Sequence, residues 1–106
     1  MVYLVEATYP GTKATEIGKH FIARLQEDPM PGSVKIRDIY AFAGGDGFRV
    51  LMFYDIEDNS VKESTDWIGR AVVNFLQTFD GYKAIGRIVY TMEEAFAFID
   101  MQAPAV

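Results

Sequence analysis

The spacing of hydrophobic and polar positions changes repeatedly along this chain, and each change marks an element. Val2 to Tyr9 is a run of Val, Tyr and Leu stopped by Pro10-Gly11, which reads as a strand. From Thr12, a capping residue, Ala14, Ile17, Gly18, Phe21, Ile22 and Leu25 recur at three- and four-residue steps. That spacing is one stripe of a helix, and Asp28-Pro29-Met30-Pro31-Gly32 breaks it. Val34 to Ala43 and Phe48 to Ile56 are β-rich runs around Gly44-Gly45-Asp46-Gly47. Glycines accept the positive φ angles of tight turns, so this stretch predicts a hairpin. Ser60-Val61-Lys62-Glu63 has the pattern of a capping box, opening a second helix striped by Ile68, Ala71, Val72, Phe75, Leu76 and Phe79 and ended by Asp80-Gly81. Arg87 to Thr91 predicts a short last strand. Thr91-Met92-Glu93-Glu94 then caps a short helix through Met101, before a tail containing Pro104.

The order is β-α-β-β-α-β with a C-terminal appendage. With right-handed crossovers this order gives an α+β, ferredoxin-like antiparallel sheet with two helices on one face, plus a short C-terminal helix. The 106 residues, 11.9 kDa, make one domain with a core over 2–91 and an appendage over 92–106. Neither a linker nor an internal repeat interrupts it.

Alternation along the strands is unusual. Successive side chains point to opposite faces, so a sheet covered on one side should alternate apolar and polar. Here one face of the first strand carries Tyr3, Val5, Ala7 and Tyr9, and the other carries Val2, Leu4, Glu6 and Thr8. Pairing the hairpin about its glycines puts Arg37 with Tyr54, Ile39 with Met52 and Ala41 with Val50 on one face. Asp38 with Phe53, Tyr40 with Leu51 and Phe42 with Arg49 fall on the other. Both faces are largely apolar, and two helices cover only one. An apolar patch of several hundred Å² marks an interface. Hiding some 600 Å² of it is worth on the order of 15 kcal/mol before association costs. Face-to-face pairing of two copies is the expected solution, with shielding by the C-terminal helix as the alternative.

Composition narrows the chemistry. Half the residues are hydrophobic and 14% aromatic, which excludes a disordered chain. The absence of cysteine excludes disulfides, thiolate metal sites and cysteine nucleophiles, and the single histidine excludes a His-pair metal site within one subunit. No metal or cofactor is expected. A net charge of −5 argues against nucleic acid as a partner. Neither a membrane-length apolar run nor a secretion-signal pattern occurs, so a cytoplasmic, non-membrane protein is the expectation.

On element order and two-faced strands, residues 2–91 resemble the dimeric α/β-barrel superfamily of ferredoxin-like proteins. That group includes cofactor-free monooxygenases, muconolactone-isomerase-like proteins, haem-degrading enzymes and stress-responsive barrels. The resemblance implies a homodimer joined through its sheet faces, with a small apolar or aromatic molecule held in a cavity between them. An enzyme of the cofactor-independent monooxygenase or isomerase kind is the alternative. The stretch Asp46-Gly47-Phe48-Arg49-Val50-Leu51-Met52-Phe53 also resembles the third strand of an RNA-recognition motif. Asp46, Arg49 and Val50 depart from that pattern.

By register with that motif, Tyr3, Val5, Val50 and Met52 fall on the open face. The expected cavity lining is therefore Tyr3, Tyr9, Arg37, Ile39, Met52 and Tyr54; with the opposite parity it becomes Glu6, Tyr40, Arg49 and Phe53. In the enzymatic alternative Arg37 stabilises developing negative charge and Tyr54 or Tyr9 donates a proton. His20 lies off its helix stripe and reads as a surface residue. Trp67 lies at the edge of its stripe, where it either flanks a subunit contact or packs partly against its own domain. Asn74, Trp67 and His20 are the residue types of a haem-degrading site, without matching motif positions. Asp55-x-Glu57-x-Asn59-Ser60 with Asp66 reads as a solvated turn rather than a calcium loop, because a strand precedes it.

Overall fold

The strand and helix patterns assemble into one four-stranded antiparallel sheet, in which strands Val34–Gly44, Gly47–Ile56, Val2–Tyr9 and Lys83–Val89 lie side by side in that order. A computed structural model describes residues 1–45 and 47–105; Asp46, which belongs to the turn expected from the sequence, and Val106 lie outside the described residues. The elements are β1 (Val2–Tyr9), a 3₁₀ turn (Gly11–Lys13), α1 (Ala14–Glu27), β2 (Val34–Gly44), β3 (Gly47–Ile56), α2 (Val61–Thr78), β4 (Lys83–Val89) and α3 (Met92–Ala97). This is an α+β architecture compatible with the ferredoxin-like expectation. Among the described residues, no helix is long and apolar enough to cross a membrane.

Helix starts follow the sequence only in part. Thr12 does not cap: the chain enters α1 through the 3₁₀ turn, and no side chain bonds the first free amides. Ser60 makes no cap bond either, because its backbone (φ −133°, ψ 34°) is not the extended conformation that aims a cap hydroxyl inward. Its carbonyl instead accepts from Ser64 Oγ at 2.7 Å. Thr91 and Glu94 do form the reciprocal box, Glu94 N–H donating to Thr91 Oγ1 and Thr91 N–H to Glu94 Oε1. α3 stops at Ala97, short of Met101: Asp100 takes a left-handed conformation and Met101 N–H reaches back to Phe96 O.

The helices cover the face carrying Val5 and Ala7, each only 1% exposed. α2 turns toward that face with Ser64, Trp67, Ile68 and Phe75, so Trp67 is core rather than edge, and Leu76 of the expected stripe is exposed. The Trp67 indole is accommodated because its Nε1–H donates to Asp28 O at 2.9 Å. Ser64, fully buried, is satisfied by Ser60 O and Ser33 Oγ. α1 sits less deeply. Only Ile17 is fully buried, and Ile22 of the expected stripe faces outward.

The hairpin register is as expected from Asp38 to Phe42, with Ile39 opposite Met52 and Tyr40 opposite Leu51. It breaks at Arg37. The pairing jumps from Ile36–Tyr54 to Asp38–Phe53, so Arg37 is the extra residue of a bulge and is not the partner of Tyr54. β4 begins at Lys83, four residues before the expected Arg87, and ends at Val89. Gly86 is a strand residue opposite Val5. A Cβ there would lie 2.6 Å from the Tyr3 hydroxyl and 2.9 Å from its ring, so the missing side chain is what lets Tyr3 lie across β4. Gly86→Ala is expected to cost about 1–3 kcal/mol through overpacking. Urea unfolding measures it, and the cost should shrink when Tyr3 is also replaced by Leu.

Candidate functional site

Because α1 stands off the sheet, a cavity of about 210 Å³ remains beneath the helices. Its floor is Val5, Ala7, Tyr9, Val50, Met52 and Tyr54, from β1 and β3. Its walls come from α1 (Ile17, Phe21, Arg24, Leu25) and α2 (Trp67, Ile68, Ala71, Phe75), with Tyr82 and Asp28 from the flanking loops. Gly18 also lines it, and a Cβ at that position would meet only open space. The lining is overwhelmingly apolar, the usual character of a small-molecule site.

Two aromatic groups build its ends. Tyr54 packs edge-on to Trp67 at 6.3 Å between ring centroids, beside Val34, Ile56 and Ile68. Tyr82 stacks on Tyr9 at 6.0 Å and lies 5.3 Å from Phe75. Tyr54 is 5% exposed, and among the described residues its hydroxyl donates only to the Met52 sulfur, at 3.6 Å. Burial pushes its pKa up to about 12. Tyr82 is also raised to about 12, by burial first and then by repulsion from the Tyr54 and Tyr9 phenolates that would form beside it. Tyr9 is shifted upward by burial. All three phenols are therefore neutral donors at neutral pH.

Arg24 adds a charge to the cavity wall. Its Nη1 donates to Glu27 Oε2 at 3.2 Å and its Nη2 lies 3.7 Å from Asp28 Oδ2. Its Nε is buried and has no partner among the described residues. Asp28 also faces Arg70 Nε at 3.4 Å. Sequence reading passed over Arg24, yet a signal was there: Ile17, Phe21, Arg24, Leu25 and Asp28 share one helical stripe, a charged residue among apolar ones.

The expected lining set divides. Tyr9, Met52 and Tyr54 come together in this cavity, but on the helix-covered face and not on the open one. Tyr3 shares that face and packs over Gly86, outside the cavity. Ile39 shares it too, but sits on edge strand β2 beyond the helices, 43% exposed. Arg37 is on the opposite side, its Nη1 3.5 Å from Asp55 Oδ1, so it does not act with Tyr54. The physical reason is that both faces are apolar, leaving alternation unable to choose between them, and the small residues Ala7, Ala84 and Gly86 lie on the side where the helices approach.

The open face carries the other parity set. Glu6, Tyr40, Arg49 and Phe53 lie there with Leu4, Leu51, Phe42 and Ile85. Tyr40, Phe42 and Ile85 are each more than half exposed. The appendage does not cap them: Tyr90, Thr91 and Met92 only edge a shallow depression with Val2, Arg37, Asp38, Tyr40 and Phe53. Phe48 and Val50 face the helices, so the stacking positions of an RNA-recognition motif are not on the free face.

His20 is half-buried rather than surface. Its Nε2 lies 2.6 Å from Asn74 Oδ1, and its ring meets Phe75 and Phe79 edge-on. It ties α1 to α2. Trp67 belongs to the other core cluster, so the three residue types of a haem-degrading site are not gathered.

No protein-family model, curated protein or solved structure matches the chain.

The buried phenols make stability depend on alkaline pH. Tyr54 and Tyr82 keep their protons in the fold to about pH 12, against an ordinary value of 10. Their contribution is complete below pH 10 and is lost as pH rises through 12. Stability measured by urea unfolding should fall across that window, and Tyr54→Phe should make the fall shallower by one proton's worth of slope.

Proposed function

We propose that this chain is a small-molecule-binding protein that works as a homodimer: two copies join through their open sheet faces, and each holds an apolar or aromatic molecule beneath its own helices. The observation that carries the binding reading is the 210 Å³ apolar cavity with a buried phenol whose hydroxyl donates to a thioether. An apolar cavity of about 150 Å³ already accepts benzene, so this one suits a substituted ring or a bicyclic molecule. Between the paired sheets, where the resemblance put the ligand, the apolar side chains of the open face would serve as the dimer contact.

Shape supports the pairing. The single chain exposes 6981 Å². That is roughly 1,000 Å² more than a folded chain of this mass ordinarily shows. Each partner in a stable complex typically contributes about 800 Å². The chain measures 47 × 32 × 18 Å, and its radius of gyration is 15.5 Å. A compact domain of this length has about 13 Å. On the open face Glu6 is paired with Arg87 at 2.8 Å and Asp55 with Arg37, which lowers the cost of covering these two carboxylates, and Arg49 lies over the Phe42 ring.

The carboxylate that lines the cavity, Asp28, is paired with Arg24 and Arg70, and Arg37 is separated from Tyr54 by the thickness of the sheet. Binding is therefore favoured over the monooxygenase or isomerase reading.

Sedimentation equilibrium at micromolar concentration should give twice the 11.9 kDa chain mass. Phe42→Glu with Ile85→Glu should give a folded monomer, since both side chains are largely free in the single chain; a wild-type monomer overturns the pairing. For the cavity, naphthalene should change the emission of Trp67, the single tryptophan. Gly18→Leu, which fills the open space on α1, should abolish that change and leave the dimer intact. An unchanged response in this variant overturns the site.

A further inference from the structure

From a C-terminal appendage that its own chain leaves largely uncovered, we infer that residues 90–101 form an exchanged arm. Each copy's arm lies over the far end of its partner's open sheet, where Phe42 and Ile85 meet its apolar side chains and Arg49 and Lys83 meet its carboxylates. The inference rests on the sheet-pairing reading above and adds the element that completes that contact.

The arm is well formed and buries almost nothing. A capping box opens α3, and Met101 N–H returns to Phe96 O at 3.0 Å, so the segment has a defined shape. Yet Tyr90, Met92, Phe98, Ile99 and Met101 are between 41% and 67% exposed, and α3 has no buried residue. Tyr90 and Phe98 meet edge-on at 4.8 Å, a contact within the arm itself. A helix of six residues is too short to persist in water without packing.

Charge selects the cover. Residues 90–106 carry Glu93, Glu94 and Asp100 and no lysine or arginine. An anionic lipid surface or a nucleic acid would repel them. The open face has the opposite sign, although the whole chain is −5. On it Lys35, Arg37, Arg49, Lys83 and Arg87 stand against Glu6, Asp38 and Asp55, so half of the chain's ten basic residues gather there. Asp55 and Glu6 occupy Arg37 and Arg87. Among the described residues Arg49 and Lys83 have no carboxylate partner.

Position makes the cover a second copy. The arm leaves the sheet at the end where Val2 pairs with Val89, and it edges only the depression there. Arg49 and Lys83 flank Thr8, with Phe42 opposite Arg49, roughly 20 Å further along the strands. The arm does not reach them in its own chain. A two-fold axis lying in the contact plane and running across the strands sets the Val2 end of each sheet over the Thr8 end of the other. Both arms then make the same contact, as two-fold pairing requires.

Two charge variants test this, both at exposed positions. The first is Glu93→Lys with Asp100→Asn, the asparagine suiting the left-handed backbone at that residue. The second is Arg49→Glu with Lys83→Glu. By sedimentation equilibrium at low ionic strength, each alone should pair roughly five- to tenfold more weakly than wild type, because each altered contact occurs twice. Mixed together, the two should form a hetero pair, resolved by native mass spectrometry, to within about threefold of wild-type affinity. In that pair an unaltered arm meets an unaltered face, and the new lysine meets the new glutamates. High salt should shrink all of these differences. Phe98→Ser with Ile99→Ser should also weaken pairing, with the naphthalene response of Trp67 unchanged. Undiminished pairing in both charge variants, or a mixture no stronger than its components, overturns the arm and leaves sheet pairing standing. A monomeric wild type overturns both.

Discussion

A sheet has two faces, and this chain supplies helices for only one of them. That inequality governs the rest of the structure. β1 and β3 are apolar on both sides, so the hydrophobic effect acts on both, and α1 and α2 satisfy one. Val5 and Ala7 become the most deeply covered strand residues, while Tyr40, Phe42 and Ile85 stay open on the other side. The flat outline and the surplus of surface follow directly.

On the covered side the two helices do unequal work. α2 is pressed onto the sheet through Trp67, Ile68 and Phe75, with Ser64 bonded at its base. α1 contributes Ile17 as its one fully buried residue and is held to α2 through the His20–Asn74 bond. Between them the sheet is not fully filled. Small residues at Gly18 and Ala71 leave room, and the cavity is the space that remains. Protein interiors are normally packed without such voids, so an unfilled volume walled by aromatic rings is the structure's most distinctive chemical feature.

Several errors of sequence reading share one cause, which is that local patterns are blind to what lies opposite. The Ser60 and Thr91 capping patterns look alike in sequence, yet only Thr91 has the extended backbone its cap requires. The strand expected from Arg87 begins at Lys83, with Gly86 inside it beneath Tyr3. Trp67 looks marginal by helical angle, and Asp28 O makes its burial possible by accepting the indole N–H. Arg37 is the sharpest case. One extra residue in β2 carries it away from Tyr54 and dissolves a proposed functional pair, and no spacing rule reveals a bulge whose cause is the register of a neighbouring strand.

The sequence by itself determined the element order, the hairpin register from Asp38 to Phe42, the two-sided apolarity of the strands and the absence of thiol chemistry. These are local or compositional properties, readable from period and residue type. The tertiary structure alone decided which sheet face the helices cover, and with it whether Tyr9, Met52 and Tyr54 meet each other or a second surface. It also decided that Arg24 closes the same space. The reason is that both parities were equally greasy: alternation sorts residues into two faces, but only the path of the crossovers and the fit of helices over Ala7, Ala84 and Gly86 assign one of them to the interior.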